Sequence, residues 1–309
     1  MEKILPYLPR KVPAGRVFGW NSQRVKRRPC PVCGEDKPDL FVKRPDGLGV
    51  HECANCHMLY LSDAPLKEDI DRIYRNYCNW KTVGVSAIRT GWLRREFAAC
   101  RNPFISLLDN TGGIKGRSIC EIGCSSGELL FLLRHRGALV TGVEIDVLAA
   151  KYLRHRGIPV YPQIEMTLKF DVVCLLQVLE HMLNPHEVLS VVAKVLPHDG
   201  RVLISVPNAG EAAKLGAPWV GFRVDLEHLN YFNLQTLSRL LYQQGLFVEH
   251  YWEHSQPSLI SDSKESVPGT GVIQRKLRAG VQRLTRTFSG SDCFTSRGSF
   301  VLTVLARKS

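Results

Sequence analysis

Four cysteines stand in two pairs, Cys30 with Cys33 and Cys53 with Cys56, and nineteen residues separate the pairs. Each C-x-x-C turn can present two thiolates to one side, and two such turns close a tetrahedral site. Zinc is the metal this donor set suits, and four thiolates leave it no open position, so the expected role is structural. His51 and His57 flank the second pair. They are expected to be bystanders, because four sulfurs already complete the shell. A thioredoxin-like redox pair is disfavoured, since neither pair sits at a strand-to-helix junction.

A second constellation lies further on. The apolar stretch 117–122 runs into Gly123, Cys124, Ser125, Ser126 and Gly127, and an amphipathic stretch, 127–136, follows. Glycines let a ligand approach the backbone, and a helix N-terminus favours negative charge. Glu144 closes the next apolar stretch, 138–144, twenty-one residues after Gly123. A carboxylate there can accept hydrogen bonds from both hydroxyls of a ribose. Strand, glycine loop, helix, strand and acid together point to an adenosine-containing cofactor; the bland alternative for Glu144 is a solvated loop carboxylate. Two histidines are candidate general bases. His181 lies just beyond the apolar run 170–176, at the strand end where open α/β sheets bind ligands; its structural alternative is a helix-start residue bonded to backbone. His228 follows a loop, 209–225, holding Pro218, Trp219 and Phe222, which is expected to act as a substrate lid. Tyr231 and Phe232 are expected to pack into the core where the next helix begins.

The elements that must hold these residues alternate between strand and helix periodicity. Helices are expected over 146–156 and 185–196, and strands over 170–176 and 200–206; the stretches 246–251 and 298–306 read as a final antiparallel pair. This alternation predicts a doubly wound α/β sheet. In the N-terminal part, short strands over 40–43 and 49–52 flank a turn at Asp46 and Gly47. Ser62 or Asp63 then caps an expected helix with Leu66, Ile70, Ile73, Tyr74 and Tyr77 on one face, read as packing. A further helix over 88–108 leads into the main domain. The expected division is a basic tail (1–24), a ribbon (25–62), a helical connector (63–112) and an α/β domain (113–309) with an insertion at about 255–297.

The 309 residues are 44% apolar and 23% charged, which excludes disorder, collagen and a disulfide mini-scaffold. No apolar run reaches the roughly 20 residues that span a bilayer. Prolines interrupt the N-terminal stretch where a signal peptide needs a continuous apolar segment, so a cytoplasmic location is expected. The ten cysteines fit a reducing compartment with one metal site. The net charge of +12 is concentrated near the N-terminus, at Lys3, Arg10, Lys11, Arg16, Arg24, Lys26, Arg27 and Arg28, and in a second stretch near the C-terminus. Such basicity suits nucleic acid, anionic lipid or a phosphorylated ligand without choosing among them.

Five motifs recur together in the class I S-adenosylmethionine-dependent methyltransferases, which this sequence resembles over about 113–252 and its last strand. They are E-I-G-C-S-S-G at 121–127, G-V-E-I-D at 142–146, the segment 170–181 ending in Q-V-L-E-H, L-P-H-D-G-R-V-L-I-S-V-P-N at 196–208, and the segment 227–241 opening E-H-L-N-Y-F. The branch it looks most like includes the ubiquinone-biosynthesis O-methyltransferases. The N-terminal half is also similar to bacterial members with a zinc ribbon, many of them in glycan or natural-product pathways. The resemblance implies a Rossmann-like seven-stranded methyltransferase sheet with a small zinc ribbon, S-adenosyl-L-methionine as cofactor, and zinc in a structural place. It implies that Glu121 and Gly123 line the methionine end of the cofactor, that Gly127 lets the helix start close to it, and that Cys124 and Ser125 belong to the same cofactor-binding loop. Glu144 would hold the ribose, Ile145 would pack on the adenine, and Gln177 would sit where cofactor and acceptor meet. The family's loop usually has glycine at the position of Ser125, and serine is a small replacement.

Methyl transfer asks the protein to align a nucleophile and exclude water, and a base is needed only when the acceptor must lose a proton. The leading expectation is a methyltransferase for a small-molecule, sugar or glycan-linked hydroxyl. The alternative is an RNA methyltransferase that grips phosphates with its ribbon and basic segments. Against it, the ribbon lacks interleaved basic and aromatic residues, and no N-P-P-Y-type motif follows the fourth strand. A third reading, a binding module without catalysis, predicts no affinity for S-adenosylhomocysteine. The polar stretch 255–271 reads as a linker. Residues 272–288 place Ile273, Leu277, Val281, Leu284 and Phe288 at helical spacing among Arg275, Lys276, Arg278, Arg283 and Arg286. That helix is expected to pack over the site or against a subunit, with peripheral membrane contact as an alternative.

Overall fold

The computed structural model describes residues 21–75, 99, 102–222, 226–254 and 300–309. The basic tail up to residue 20, Tyr77, residues 88–98, the linker 255–271 and the basic segment 272–288 lie outside the described residues.

The N-terminal elements are β1 (Val25–Arg27), β2 (Pro38–Lys43), β3 (Gly49–Cys53), β4 (Leu59–Leu61), β5 (Asp63–Pro65) and α1 (Lys67–Tyr74). The expected hairpin around Asp46 and Gly47 is present, with a register irregularity between Leu40 and Val42. The expected cap at Ser62 or Asp63 is not. α1 starts at Lys67 without a side-chain cap, while Asp63–Pro65 pairs antiparallel with β1. The Ser62 hydroxyl instead meets His51 Nδ1 at 3.0 Å. Pairing with Val25–Arg27 uses the backbone groups that an earlier helix start would have needed.

The main domain runs α2 (Pro103–Asn110), β6 (Ser118–Ile122), α3 (Glu128–His135), β7 (Leu139–Val143), α4 (Val147–His155), β8 (Val160–Tyr161), β9 (Val172–Leu176), α5 (Pro185–Val195), β10 (Arg201–Pro207) and α6 (Gly210–Leu215). It continues through β11 (Asn230–Tyr231), α7 (Leu234–Tyr242), β12 (Leu246–His254) and β13 (Val301–Lys308). Of the helix expected over 88–108, Ala99 is helical, and a further helix begins at Pro103, where the Asn102 side chain accepts from Phe104 N and Ile105 N.

Among the described residues, seven strands form one sheet in the order β12-β13-β10-β9-β6-β7-β8. β10, β9, β6, β7 and β8 run parallel to one another, and β13 is antiparallel between β10 and β12. This is the expected Rossmann-like sheet with its final antiparallel pair. β9 lies between β6 and β10 and is apolar throughout because both its faces are covered. Val173 and Leu175 join the core under α5 and α7, whereas Val172 and Cys174 join the core with α2, α3 and α4. That alternation is the period of two of a strand.

The ribbon is continuous with this core. β11, far along the chain, pairs with β4 and completes a four-stranded sheet β11-β4-β3-β2 among the described residues. Cys30, Cys53, Cys56, Met58 and Tyr60 are buried in the same cluster as Phe232, Leu237 and Leu240. No helix among the described residues is long and apolar enough to cross a membrane.

Candidate active site

The parallel strands carry the candidate residues to their carboxyl ends. β6 delivers Glu121 and passes into a loop in which Gly123, Ser125 and Gly127 adopt φ values of 69°, 46° and 74°. These left-handed conformations suit glycine and are strained for serine. A Cβ on Gly123 would stand 2.6 Å from Val178 Cγ2, and one on Gly127 would collide with Leu153. Gly123 N donates to Val143 O at 2.8 Å, so the loop is fastened to β7. The Cys124 side chain is buried in the core, and its thiol lies where a Cβ on Gly142 would collide at 2.7 Å.

Glu144 reaches the same loop. Its Oε2 accepts from Ser125 N at 2.7 Å, and its Oε1 accepts from Asp146 N at 2.7 Å. Burial raises its carboxyl above the ordinary value, while those backbone donors pull the other way. A carboxylate oxygen holds more than one acceptor lone pair, so capacity remains for a ribose diol. Ile145 beside it is half-buried. Gln177, just past β9, has φ 56°, and its Nε2 donates to Ser205 Oγ at 3.3 Å.

Glu121 is 7% exposed, and its Oε2 is buried with no hydrogen-bond partner among the described residues. Desolvation, then repulsion from Glu144 and Glu128, pushes its carboxyl up from 4.5 to about 8. A buried polar atom of this kind fits a cationic group bound at the loop. Glu121 and Glu144 thus fit the two polar ends of S-adenosylmethionine, the ammonium and the ribose.

The histidines converge on one carboxylate. His181 ends a short 3-10 turn, Leu179–His181, and its Nδ1 lies 2.9 Å from Tyr74 Oη and 3.3 Å from Glu227 O. Its Nε2 is 3.9 Å from Glu180 Oε1, and His228 Nε2 is also 3.9 Å from that oxygen. The two rings stand edge to face, 4.8 Å between centroids, over a Glu180 that is 1% exposed. The described part of the expected lid is packed down. Trp219 and Phe222 are buried and stack edge to face with Tyr231 at 6.0 and 5.1 Å. This segment is anchored by aromatic burial. Tyr231 is buried as expected but in β11, before the helix.

At the ribbon, Cys30 Sγ is 3.5 Å from Cys56 Sγ, and Cys33 Sγ is 3.5 Å from Cys53 Sγ. All four sulfurs lie within 4.8 Å of one another. Tetrahedral zinc with bonds of about 2.3 Å places its sulfurs roughly 3.8 Å apart, whereas a disulfide needs about 2.05 Å. The set therefore fits zinc and excludes paired disulfides. The hydrogen bond with Cys56 draws the Cys30 thiol down to about 5. His51 and His57 bond instead to Gly49 O and the Glu52 carboxylate, as bystanders would.

A family model described as "Methyltransferase domain" matches residues 92–251, more than half of the chain. The chain belongs to this methyltransferase-domain family. Among curated proteins, it is 32% identical to a ubiquinone biosynthesis O-methyltransferase of Pseudomonas aeruginosa (strain LESB58) over 129 residues, 38% of this chain and 56% of that protein. It is 30% identical to the protein of that name from Glaesserella parasuis serovar 5 over 116 residues, 32% of this chain and 49% of that one. The chain spans about half the length of the curated relatives it matches. Among solved structures it is similar to a magnesium protoporphyrin IX methyltransferase of Synechocystis PCC 6803 with bound SAM. There the identity is 16% and the TM-score 0.48, covering 80% of this chain and all of that one.

The structure joins the expected loop to Glu144, places Gln177 just past β9, and brings the two histidines together over Glu180. Sequence reasoning missed Glu180 and Tyr74 as partners of the histidines. Glu180 adjoins His181, so its position was visible, but its burial and its reach to His228 were not.

Proposed function

We propose that this methyltransferase-domain protein transfers a methyl group from S-adenosylmethionine to a hydroxyl of a small-molecule acceptor. The observation that carries the reading is the glycine loop fastened to Glu144 at the carboxyl ends of the parallel strands, with Glu121 buried behind it. When bound, the cofactor supplies a sulfonium whose methyl group is activated toward a nucleophile.

Each residue then has a task. Glu144 accepts the ribose hydroxyls while Ser125 N and Asp146 N hold its orientation. Glu121, ionised, pairs with the ammonium of the methionine end. Gln177 marks the junction of the cofactor and acceptor pockets. His181 or His228 takes the proton of the acceptor hydroxyl, and the buried Glu180 carboxylate stabilises the imidazolium that forms. The zinc held by Cys30, Cys33, Cys53 and Cys56 takes no part in the chemistry, since four thiolates saturate it.

An O-methyl acceptor is supported by the relatives named for O-methylation in ubiquinone biosynthesis. A sugar or glycan-linked hydroxyl is the finer class we propose, from the pairing of a zinc ribbon with this catalytic domain. The test is incubation of the purified protein with methyl-tritiated S-adenosylmethionine and fractionated cell extract. Label in base-stable methyl ethers of the small-molecule or glycan fraction supports the proposal. Label confined to RNA, or to no fraction, contradicts it.

A further inference from the structure

The zinc ribbon contributes more to the site than a neighbouring wall. Arg44 lies in the turn between β2 and β3, and its side chain is 0% exposed, as is that of Asp46. Arg44 Nε donates to Asp46 Oδ1 at 3.1 Å, and Nη2 donates to Asp46 Oδ2. Its other donations leave the ribbon. Nη1 reaches His228 O at 2.6 Å and Tyr231 Oη at 2.9 Å, and Nη2 reaches Leu226 O at 2.7 Å. Three bonds from one rigid fork thus fall on the segment 226–231, and one of them lands on the backbone of a candidate base.

A ribbon that only bound zinc would have no need for this arrangement. Burying a guanidinium is costly unless it is paired and its donors are used, and in an isolated ribbon the outward donors would be left to water. Other bonds run the same way. Leu61 N donates to Leu229 O at 3.0 Å, and Leu229 N donates to Glu180 O at 2.8 Å. Arg28 Nη2 donates to Leu229 O at 2.8 Å and to Asn230 Oδ1 at 2.9 Å. The backbone of residues 226–231 is therefore threaded between a ribbon arginine on one side and the Glu180 turn on the other.

We propose that Arg44 is a positioning residue for His228, through which the zinc ribbon sets the ring of that histidine against Glu180 and His181. The inference rests on the proposed role of His228 in methyl transfer. Planarity matters here, because one fork spans Leu226 O, His228 O and Tyr231 Oη, and a lysine ammonium cannot serve all three while holding Asp46.

The test uses the full chain with zinc bound, labelled with 15N in its histidine rings, and His228→Gln to assign the His228 signals. Ring nitrogen shifts report tautomer and hydrogen bonding directly. Arg44→Lys keeps a cation beside Asp46, and the double variant Arg44→Met with Asp46→Leu removes both buried charges. In both, the His228 ring signals shift, and more so in the double variant. The exposed His155 and His198 stay in place, and the affinity for S-adenosylhomocysteine remains within about two-fold of the parent. His228 signals that superimpose on the parent's in Arg44→Lys overturn the proposal, even if the double variant fails to fold. A parent protein that does not bind S-adenosylhomocysteine refutes the methyltransferase reading, while the His228 comparison still decides the role of Arg44.

Discussion

If Glu121 pairs with the cofactor's ammonium, as proposed, cofactor binding strengthens as pH rises. Its carboxyl titrates at about 8 in the folded protein against an ordinary 4.5, because burial and the neighbouring Glu144 and Glu128 disfavour its charge. The unbound fold therefore holds a proton there that the unfolded chain gives up. Its stability falls as pH rises from about 4.5 to about 8, by roughly 1.4 kcal/mol for each unit of the shift. A cationic ammonium at the loop reverses the preference, so binding must expel that proton. With a free-state value of about 8, roughly 99% of the carboxyl is protonated at pH 6 and half at pH 8. Affinity for S-adenosylhomocysteine then rises roughly 50-fold between pH 6 and pH 8. Calorimetry at pH 7 in buffers of different ionisation enthalpy reads close to one proton released per ligand bound. Glu121→Gln abolishes both the release and the slope, and it renders the unbound protein more stable at pH 8. Binding that is flat across this range in the parent, or equally steep in Glu121→Gln, refutes the assignment of Glu121 to the ammonium.

Two further outcomes follow from the geometry. Metal analysis finds one zinc per chain; Cys53→Ser loses it and lowers the melting temperature, because structural zinc contributes on the order of 10 kcal/mol to such ribbons. A metal-free chain that melts where the parent does contradicts the zinc assignment. Gly127→Ala places a Cβ against Leu153 at φ 74° and costs about 1–3 kcal/mol in denaturant unfolding, with weakened S-adenosylhomocysteine binding. An unchanged denaturation midpoint would show that the turn relaxes freely.

What was legible in the sequence is what local pattern encodes. The continuous apolar run of β9, the alternation of strand and helix, and the glycine loop with Glu144 all report burial or backbone needs within a few residues. The four cysteines were legible because metal-ligand chemistry fixes their spacing. Contacts between distant segments were not. β11 is two residues long and joins the ribbon sheet across the chain, so no periodicity announces it. The same holds for the Arg44 fork and for the meeting of His181 and His228 over Glu180. Ser62 and Asp63 had the residue types of a helix cap, yet tertiary strand pairing with Val25–Arg27 claimed that backbone.

The account stands on a nucleoside held between the loop after β6 and the acid at the end of β7. Titrating S-adenosylhomocysteine into the parent protein and into Glu144→Ala measures this directly. The prediction is saturable binding at one site per chain in the parent. Removing a charge-assisted ribose contact, about 1.5–3 kcal/mol, weakens the variant roughly 10- to 150-fold. No heat of binding in the parent, or equal affinity in the two proteins, contradicts it.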